Sequence, residues 1–296
     1  MKIVVSGASG LIGSALVPAL REAGHEVVRL VRRASQAADE LSWDPSAGSL
    51  DASALAGTDA AVNLSGANIG HRWTNARRRE IRESRVATTS LLALTLAELE
   101  PRPSVFVCAG GVGIYGDRGD EILTEESEPG TGFLASVVNE KEAAAEPAHA
   151  AGIRVVNFRQ GIVLSAEGGA LARMLPFFKL GVGGRVGNGR QWWSWVSLDD
   201  VVSAYRFALE SELAGPVNVA SPNVVRSAQF VKSLGRALHR PTVFPFPAFG
   251  VRALWGEMGE AALLDGQRAL PAKLLEAGFT FAYADLDAAF EHTLAR

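Results

Sequence analysis

The sequence predicts an α/β protein: a doubly wound parallel sheet followed by a smaller, mainly helical C-terminal domain. Three observations point there. Short apolar runs alternate with helical patterns through the first half of the chain: KIVVS (2–6), EVVRLVR (26–32), DAAVNLSG (59–66), SVFVCAGG (104–111) and IRVVNFRQGIVLS (153–165). These runs show little polar alternation, the mark of strands covered on both faces. The first of them leads directly into a glycine-rich turn and a helix, SGASGLIG (6–13). With helices between parallel strands, the right-handed crossover rule sets the hand of winding.

The elements follow in order. A strand at 2–6 precedes a helix at 11–24, which has 3.6-residue apolar spacing and closes on Gly24. Strands at 26–32 and 59–66 follow, then a long helix over 75–100 and a strand at 104–111. A loop runs through Gly132 to a helix over 134–150, and a strand begins at 153. After residue 165 the pattern changes. Residues 166–194 are rich in glycine and aromatics, and 197–211 read as a helix with Asp199 and Asp200 in its first turn, where carboxylates suit the helix dipole. A short strand and turn occupy 215–222, and prolines at 241, 245, 247 and 271 punctuate two or three further helices. The expected division is a nucleotide-binding domain over 1–165, with 195–222 returning to it, and a smaller substrate domain from 166–194 and 223–296.

Composition narrows the function classes. At 48% hydrophobic and 21% charged residues, the chain has ample material for a core. A formal charge of −3 provides no global basic field, so nucleic acid is not the expected partner. The run Arg77-Arg78-Arg79 with Arg82 and Arg85 is interleaved with Glu80 and Glu83 and reads as a helix face. The one cysteine, Cys108, rules out an internal disulfide and suits a reducing compartment; within an apolar run it reads as a buried inert thiol. The five histidines lack ligand spacing, so no metal site is expected. Without a signal sequence or an eighteen-residue apolar run, the expectation is a soluble cytoplasmic protein.

The turn at 6–13 carries the most chemistry. Gly7-x-x-Gly10-x-x-Gly13 stands at the first strand–helix junction, the position of a Rossmann dinucleotide fingerprint. Glycines there permit a tight bend and close approach of the backbone to a pyrophosphate, and the free N–H groups of the helix N-terminus face the phosphates. Ser9, Leu11 and Ile12 complete the turn. The second strand ends in Val31-Arg32-Arg33 with no acid between 29 and 38. An NAD site places an acid there for the ribose 2′-hydroxyl. Arg32 and Arg33 instead fit a 2′-phosphate clamp, hence NADP(H), or else form a solvated basic loop.

These motifs carry a resemblance. GASGLIG, NLSGANI (63–69), VGIYGD (112–117) and GRQWWSWVSLDD (189–200) look like the extended short-chain dehydrogenase/reductase superfamily. With GQRALPAKLLEAGFTFAY (266–283), the chain resembles more closely its epimerase family of small NADP-binding proteins, over essentially its full length. The resemblance implies a catalytic Ser/Thr after the fifth strand and a Tyr-x-x-x-Lys pair on the following helix. Here Gly110 stands at the serine position, Val138 at the tyrosine and Glu142 at the lysine, while Lys141 is out of register on another helix face. Glu140 and Glu142 match the Glu-x-Glu form of this subfamily. Leu64, Ser65, Gly66, Arg85, Ala109, Gly110, Gln160, Gly161 and Ile162 are implied cofactor contacts.

Two candidates remain for proton handling. Glu142 reads either as an acid/base or as a structural carboxylate. Tyr115 lies after a strand's carboxyl end, where open α/β sheets bind ligands, and reads either as an acid/base or as packing beside the nicotinamide. Gln191, Trp192 and Trp193, together with Tyr115, are expected at a substrate cleft between the domains; the alternative for the tryptophans is interdomain core. Alternation directs Trp193 and Trp195 one way and Trp192 the other. Three functions fit: an NADP-dependent oxidoreductase or epimerase acting on a small molecule, an NADPH-binding protein without turnover, and a relic whose groove binds a protein. The sequence favours the first and leaves the oligomeric state open.

Overall fold

The computed structural model describes residues 1–295. Seven strands form the central sheet: β1 (Lys2–Ser6), β2 (Glu26–Val31), β3 (Glu40–Ser42), β4 (Ala60–Asn63), β5 (Val105–Gly111), β6 (Arg154–Gln160) and β7 (Gly215–Val219). Their order is β7-β6-β5-β4-β1-β2-β3, and every neighbouring pair is parallel. The order reverses between β1 and β4. Chain connections there leave toward opposite faces and open a crevice at the carboxyl ends of the strands.

Helices cover both faces: α1 (Leu11–Glu22), α2 (Asn75–Glu98), α3 (Phe133–Ala143), α4 (Glu146–Ala150), α5 (Gly169–Lys179) and α6 (Leu198–Glu210). The period-two alternation of β1 divides its side chains between two cores. Ile3 and Val5 join Leu16 of α1, Val62, Phe158 and Tyr205 of α6 on one face. Val4 joins Ala61, Leu92 of α2, Phe106, Cys108 and Ala148 of α4 on the other.

Two local features depart from the sequence expectation. The helix over 134–150 is two helices, with Pro147 at the start of α4. Proline has no N–H to continue the ladder but suits a first turn. Strand β3 spans three residues at the sheet edge, too few to register a period in the sequence.

Beyond β6 the chain forms a third core from α5, α7 (Ser227–Ala237) and a last helix, α8 (Leu286–Ala295), in which Trp193, Trp195, Phe230 and Phe290 are buried. This region is helical with short ladders rather than a sheet: Ile162–Leu164 beside Trp195–Ser197, Trp192–Trp193 beside Val225–Arg226, and Arg268–Ala269 beside Ile122–Leu123. Asp200 fastens it to the sheet domain. Its carboxylate accepts the Ser197 hydroxyl at 2.7 Å and the backbone N–H groups of Ala282 and Tyr283 at 2.7 and 3.1 Å. The acid expected only to complement a helix dipole is thus also a clamp on the C-terminal segment. No helix among the described residues is long and apolar enough to cross a membrane.

Candidate functional site

The glycine turn sits at the switch point between β1 and β4. Gly7 has φ +72°, and a side chain there would begin 2.7 Å from the Leu64 carbonyl carbon. A side chain on Gly13 would begin 2.4 Å from the Gly7 carbonyl oxygen. Both positions therefore require glycine, one for its backbone conformation and both for close approach. The Gly10 N–H donates to the Gly7 carbonyl at 3.0 Å, which closes the bend and starts α1 at Leu11. The first amides of α1 have no intrahelical partners and point into the crevice mouth with the positive end of the dipole. Ser9 and Gly10 are exposed, and Leu11 and Ile12 half-buried. This is an open cradle lined by backbone at the mouth of the sheet.

At the end of β2 the two arginines divide. Arg33 is held by Glu40 of β3 through paired hydrogen bonds of 2.8 and 2.6 Å. Arg32 is exposed, with no hydrogen-bond or ion-pair partner among the described residues. Glu40, just beyond the acid-free window of the sequence, occupies one of the two predicted clamp residues and leaves the other available.

On the opposite side, Leu64, Ser65 and Gly66 follow β4. Asn63 organises this end: its Oδ1 accepts the Ser6 hydroxyl at 2.7 Å and the Ser65 N–H at 3.1 Å, and its Nδ2 donates to Thr89 at 2.9 Å. The Arg85 guanidinium carbon lies 3.0 Å from where a Gly66 side chain would begin. Arg85 donates to the carbonyls of Ala67 and Ile81 at 3.0 and 3.1 Å. Its pKa is lowered to about 10, chiefly by burial and also by Arg77. Next along, Ala109 and Gly110 end β5, and Val138 packs 3.5 Å from where a Gly110 side chain would start. An apolar contact thus fills the place where the resemblance expects a hydroxyl pair. Gln160 donates to the Tyr205 hydroxyl at 2.9 Å. Gly161 passes so close to the Ser194 carbonyl that a side chain would meet it at 2.6 Å, and the Ile162 N–H donates to the same oxygen at 2.7 Å.

Tyr115 and Glu142 come together, but inside the protein. Arg159 of β6 bonds both oxygens of Glu142 at 2.8 Å each, and its remaining arm donates to the Tyr115 hydroxyl at 3.0 Å. That hydroxyl lies 2.7 Å from Asn218 Oδ1 and 2.9 Å from the Thr124 carbonyl. Asn218 in turn donates its N–H to the buried carboxylate of Glu125 at 2.9 Å. Burial alone would lower the Arg159 pKa; the hydrogen bond and charge of Glu142 and the Tyr115 contact raise it above that of a free guanidinium.

These contacts favour one of the two readings open for each residue. Tyr115 is 0% exposed, with a hydroxyl already bonded on all sides, so it does not meet a substrate. Burial pushes its pKa up, opposed by Arg159, which also removes it from acid–base work near neutrality. Glu142, with its side chain 17% exposed, has both oxygens committed to Arg159 and is a structural carboxylate in this arrangement. Glu140, its partner in the Glu-x-Glu pattern, faces Arg82 at 3.3 Å.

Lys141, set aside from the sequence as out of register, is the larger surprise. It is 3% exposed, and its ammonium has no hydrogen bond or carboxylate partner among the described residues. Burial lowers its pKa to about 8, with Arg85 adding to the fall and Cys108 opposing it.

The aromatic cluster divides as alternation predicted, with consequences for the substrate set. Trp193 is 3% exposed and packs edge-on against Phe230, ring centres 5.1 Å apart, so it is core and not a cleft residue. Gln191 donates to the carbonyls of Leu263 and Val186 at 2.8 and 3.2 Å, which ties down the C-terminal segment. Of Trp192, Trp193 and Trp195, the first is half-buried and the other two are buried. Trp192 lies between the guanidinium groups of Arg226 and Arg268, 4.1 and 4.5 Å from its ring centre, with its Nε1–H on Asp120 at 2.8 Å. The Arg268 side borders a cavity of about 440 Å³ lined also by Asn223, Gln229 and Asp285. Among the described residues no three metal-ligating side chains cluster.

Two family models match the chain: the NAD dependent epimerase/dehydratase family over residues 3–220, and a domain of unknown function, DUF1731, over residues 246–293. An epimerase family protein of Mycobacterium leprae is 43% identical over 296 residues, covering 99% of this chain and 96% of its own. The crystal structure of human epimerase family protein SDR39U1 (isoform 2) with NADPH superimposes with a TM-score of 0.90 at 31% identity, over 100% of both chains. A nucleoside-diphosphate sugar epimerase from Corynebacterium glutamicum matches with a TM-score of 0.81 at 38% identity, covering 99% of this chain and 58% of the other. The parallel sheet, the glycine cradle at its switch point and relatives alike from end to end agree: the chain belongs to the NAD dependent epimerase/dehydratase family.

Proposed function

We propose that the protein is an NADP(H)-dependent oxidoreductase or epimerase-like enzyme acting on a small carbonyl or alcohol, without the usual Ser-Tyr-Lys set. The carrying observation is the cradle: Gly7, Gly10 and Gly13 leave open the space that side chains would fill, at the mouth of a parallel sheet. Gly7–Gly13 would hold the diphosphate, Arg32 the 2′-phosphate, and the ends of β4 and β5 the nicotinamide half. The bound cofactor would supply hydride transfer, and the chain supplies position and charge around it. The NADPH in the complex of the human relative supports this choice of cofactor. The substrate would enter between the strand ends and the C-terminal segment. With Tyr115 and Glu142 engaged by Arg159, water is the remaining carrier for a proton. The single buried free thiol fits a reducing compartment such as the cytoplasm.

The same engagement favours a second reading, an NADPH-binding protein without turnover. The two separate in one experiment. Saturable NADPH binding with substrate-dependent oxidation, across a panel of small aldehydes, ketones and sugar nucleotides, supports the enzyme; saturable binding with no oxidation supports the silent binder. No binding of either nucleotide form sinks both.

A further inference from the structure

Two cations lie beneath the carboxyl ends of β4 and β5 with no carboxylate paired to either among the described residues. Lys141 of α3 has no hydrogen-bond or ion-pair partner among the described residues, and Arg85 of α2 donates from one guanidinium nitrogen to two neutral carbonyls. Neither the groups that act on Lys141, Cys108 and Arg85, nor the other titratable groups on the elements nearby neutralise it. From β5, Cys108 is neutral, since burial pushes its thiol up to about 12. From β6, Arg159 is matched by Glu142, the residue beside Lys141 on α3 itself. Tyr115 is held protonated by burial. Arg77, which faces Arg85 along α2, is paired with Glu80 at 2.6 Å. The result is a wall of net positive charge beneath the strand ends, in a partly dehydrated place where charge acts strongly.

The sheet order sets what meets that wall, given the cofactor reading above, on which this inference rests. With the diphosphate on the β1 turn and the 2′-phosphate toward Arg32 at the end of β2, the rest of a dinucleotide runs the other way, over β4 and β5. Neighbouring strands are about 4.8 Å apart, so the nicotinamide comes to lie above the Lys141–Arg85 layer. The oxidised nicotinamide ring carries a positive charge that the reduced ring lacks. We propose that Lys141, supported by Arg85, makes this site select the reduced cofactor over the oxidised one, with Lys141 the specificity-determining residue.

The selection acts through like-charge repulsion, so it is present while Lys141 is protonated and fades as the pH rises through about 8. The test is the ratio of dissociation constants for NADP+ and NADPH, measured by calorimetry at constant ionic strength at pH 7 and pH 9.5. The proteins are wild type, Lys141→Met and Lys141→Arg. Wild type should favour NADPH roughly tenfold or more at pH 7, and the ratio should shrink severalfold at pH 9.5. Lys141→Met should show the small ratio at both pH values, mainly by binding NADP+ more tightly. Lys141→Arg should keep the large ratio at both. A Met variant with the wild-type ratio at pH 7, or a wild-type ratio that ignores pH, overturns the proposal. Should the Met variant not fold, the wild-type pH series and the Arg variant decide. Failure of wild type to bind either form would instead overturn the dinucleotide reading itself.

Discussion

Glu142 and Arg159 meet through two parallel hydrogen bonds of 2.8 Å each, with Arg159 almost wholly enclosed. Breaking such a pair strands one charge in the interior, which is more damaging than the net worth of the pair. Glu142→Gln should therefore destabilise the protein by about 3–5 kcal/mol in urea unfolding, through the orphaned guanidinium. A variant within 1 kcal/mol of wild type would show that the pair has no structural role.

The two arginines after β2 should behave differently. Arg32→Ala should weaken NADPH binding by about 2 kcal/mol, the worth of a charge-assisted hydrogen bond, and leave NADH binding unchanged. Arg33 is occupied by Glu40, so Arg33→Ala should act more on the stability of the β3 edge than on nucleotide affinity. Calorimetric titration with both nucleotides reads the difference. Equal losses for NADPH and NADH in Arg32→Ala would place the 2′-phosphate elsewhere.

Close packing at the turn sets a graded series. A Cβ at Gly13 would meet the Gly7 carbonyl at 2.4 Å, whereas one at Gly10 would stand 3.3 Å from the same oxygen. Backbone has little room to retreat, so Gly13→Ala should cost about 1–3 kcal/mol of stability and abolish nucleotide binding. Gly10→Ala should keep the fold, with a smaller loss of affinity. Thermal melts with and without NADPH distinguish the two; equal effects would mean that the helix does not pack as described.

Stability should also carry a signature of Asp265. Burial, followed by the charges of Asp117 and Glu260, raises its pKa from 3.8 to about 6. The folded state thus binds this proton more tightly than the unfolded chain. That contribution is complete below pH 3.8 and is lost as the pH rises through about 6. Asp265→Asn, uncharged throughout, should raise the melting temperature at pH 7.5 by about 2–4 °C and leave it nearly unchanged at pH 4. A shift of the same size at both pH values would rule out this origin.

The sequence exposed what depends on local geometry and hid what depends on distant partners. The cradle was legible because the strand, the glycine spacing and the start of the helix lie within the first thirteen residues. The opposed directions of Trp192 and Trp193 followed from strand alternation alone. Arg33 was misjudged because Glu40 reaches it only when β3 pairs with β2. The two readings of Tyr115 stayed open because Arg159 and Asn218 lie 44 and 103 residues away in the chain and converge only in the sheet. Lys141 did turn to another helix face than Glu142, as its offset of one residue requires. That face is interior rather than solvent, because α3 packs between α2 and β5.

The enclosure of Cys108 has a practical consequence. Its thiol is buried, protonated up to about pH 12 and the only one in the chain, so alkylating reagents at neutral pH have nothing to attack. Any cysteine introduced on the surface becomes the sole labelling point. A fluorophore could therefore be stationed beside the crevice, at Ser9 for instance, to report nucleotide arrival without first stripping the wild-type protein of a competing sulfur.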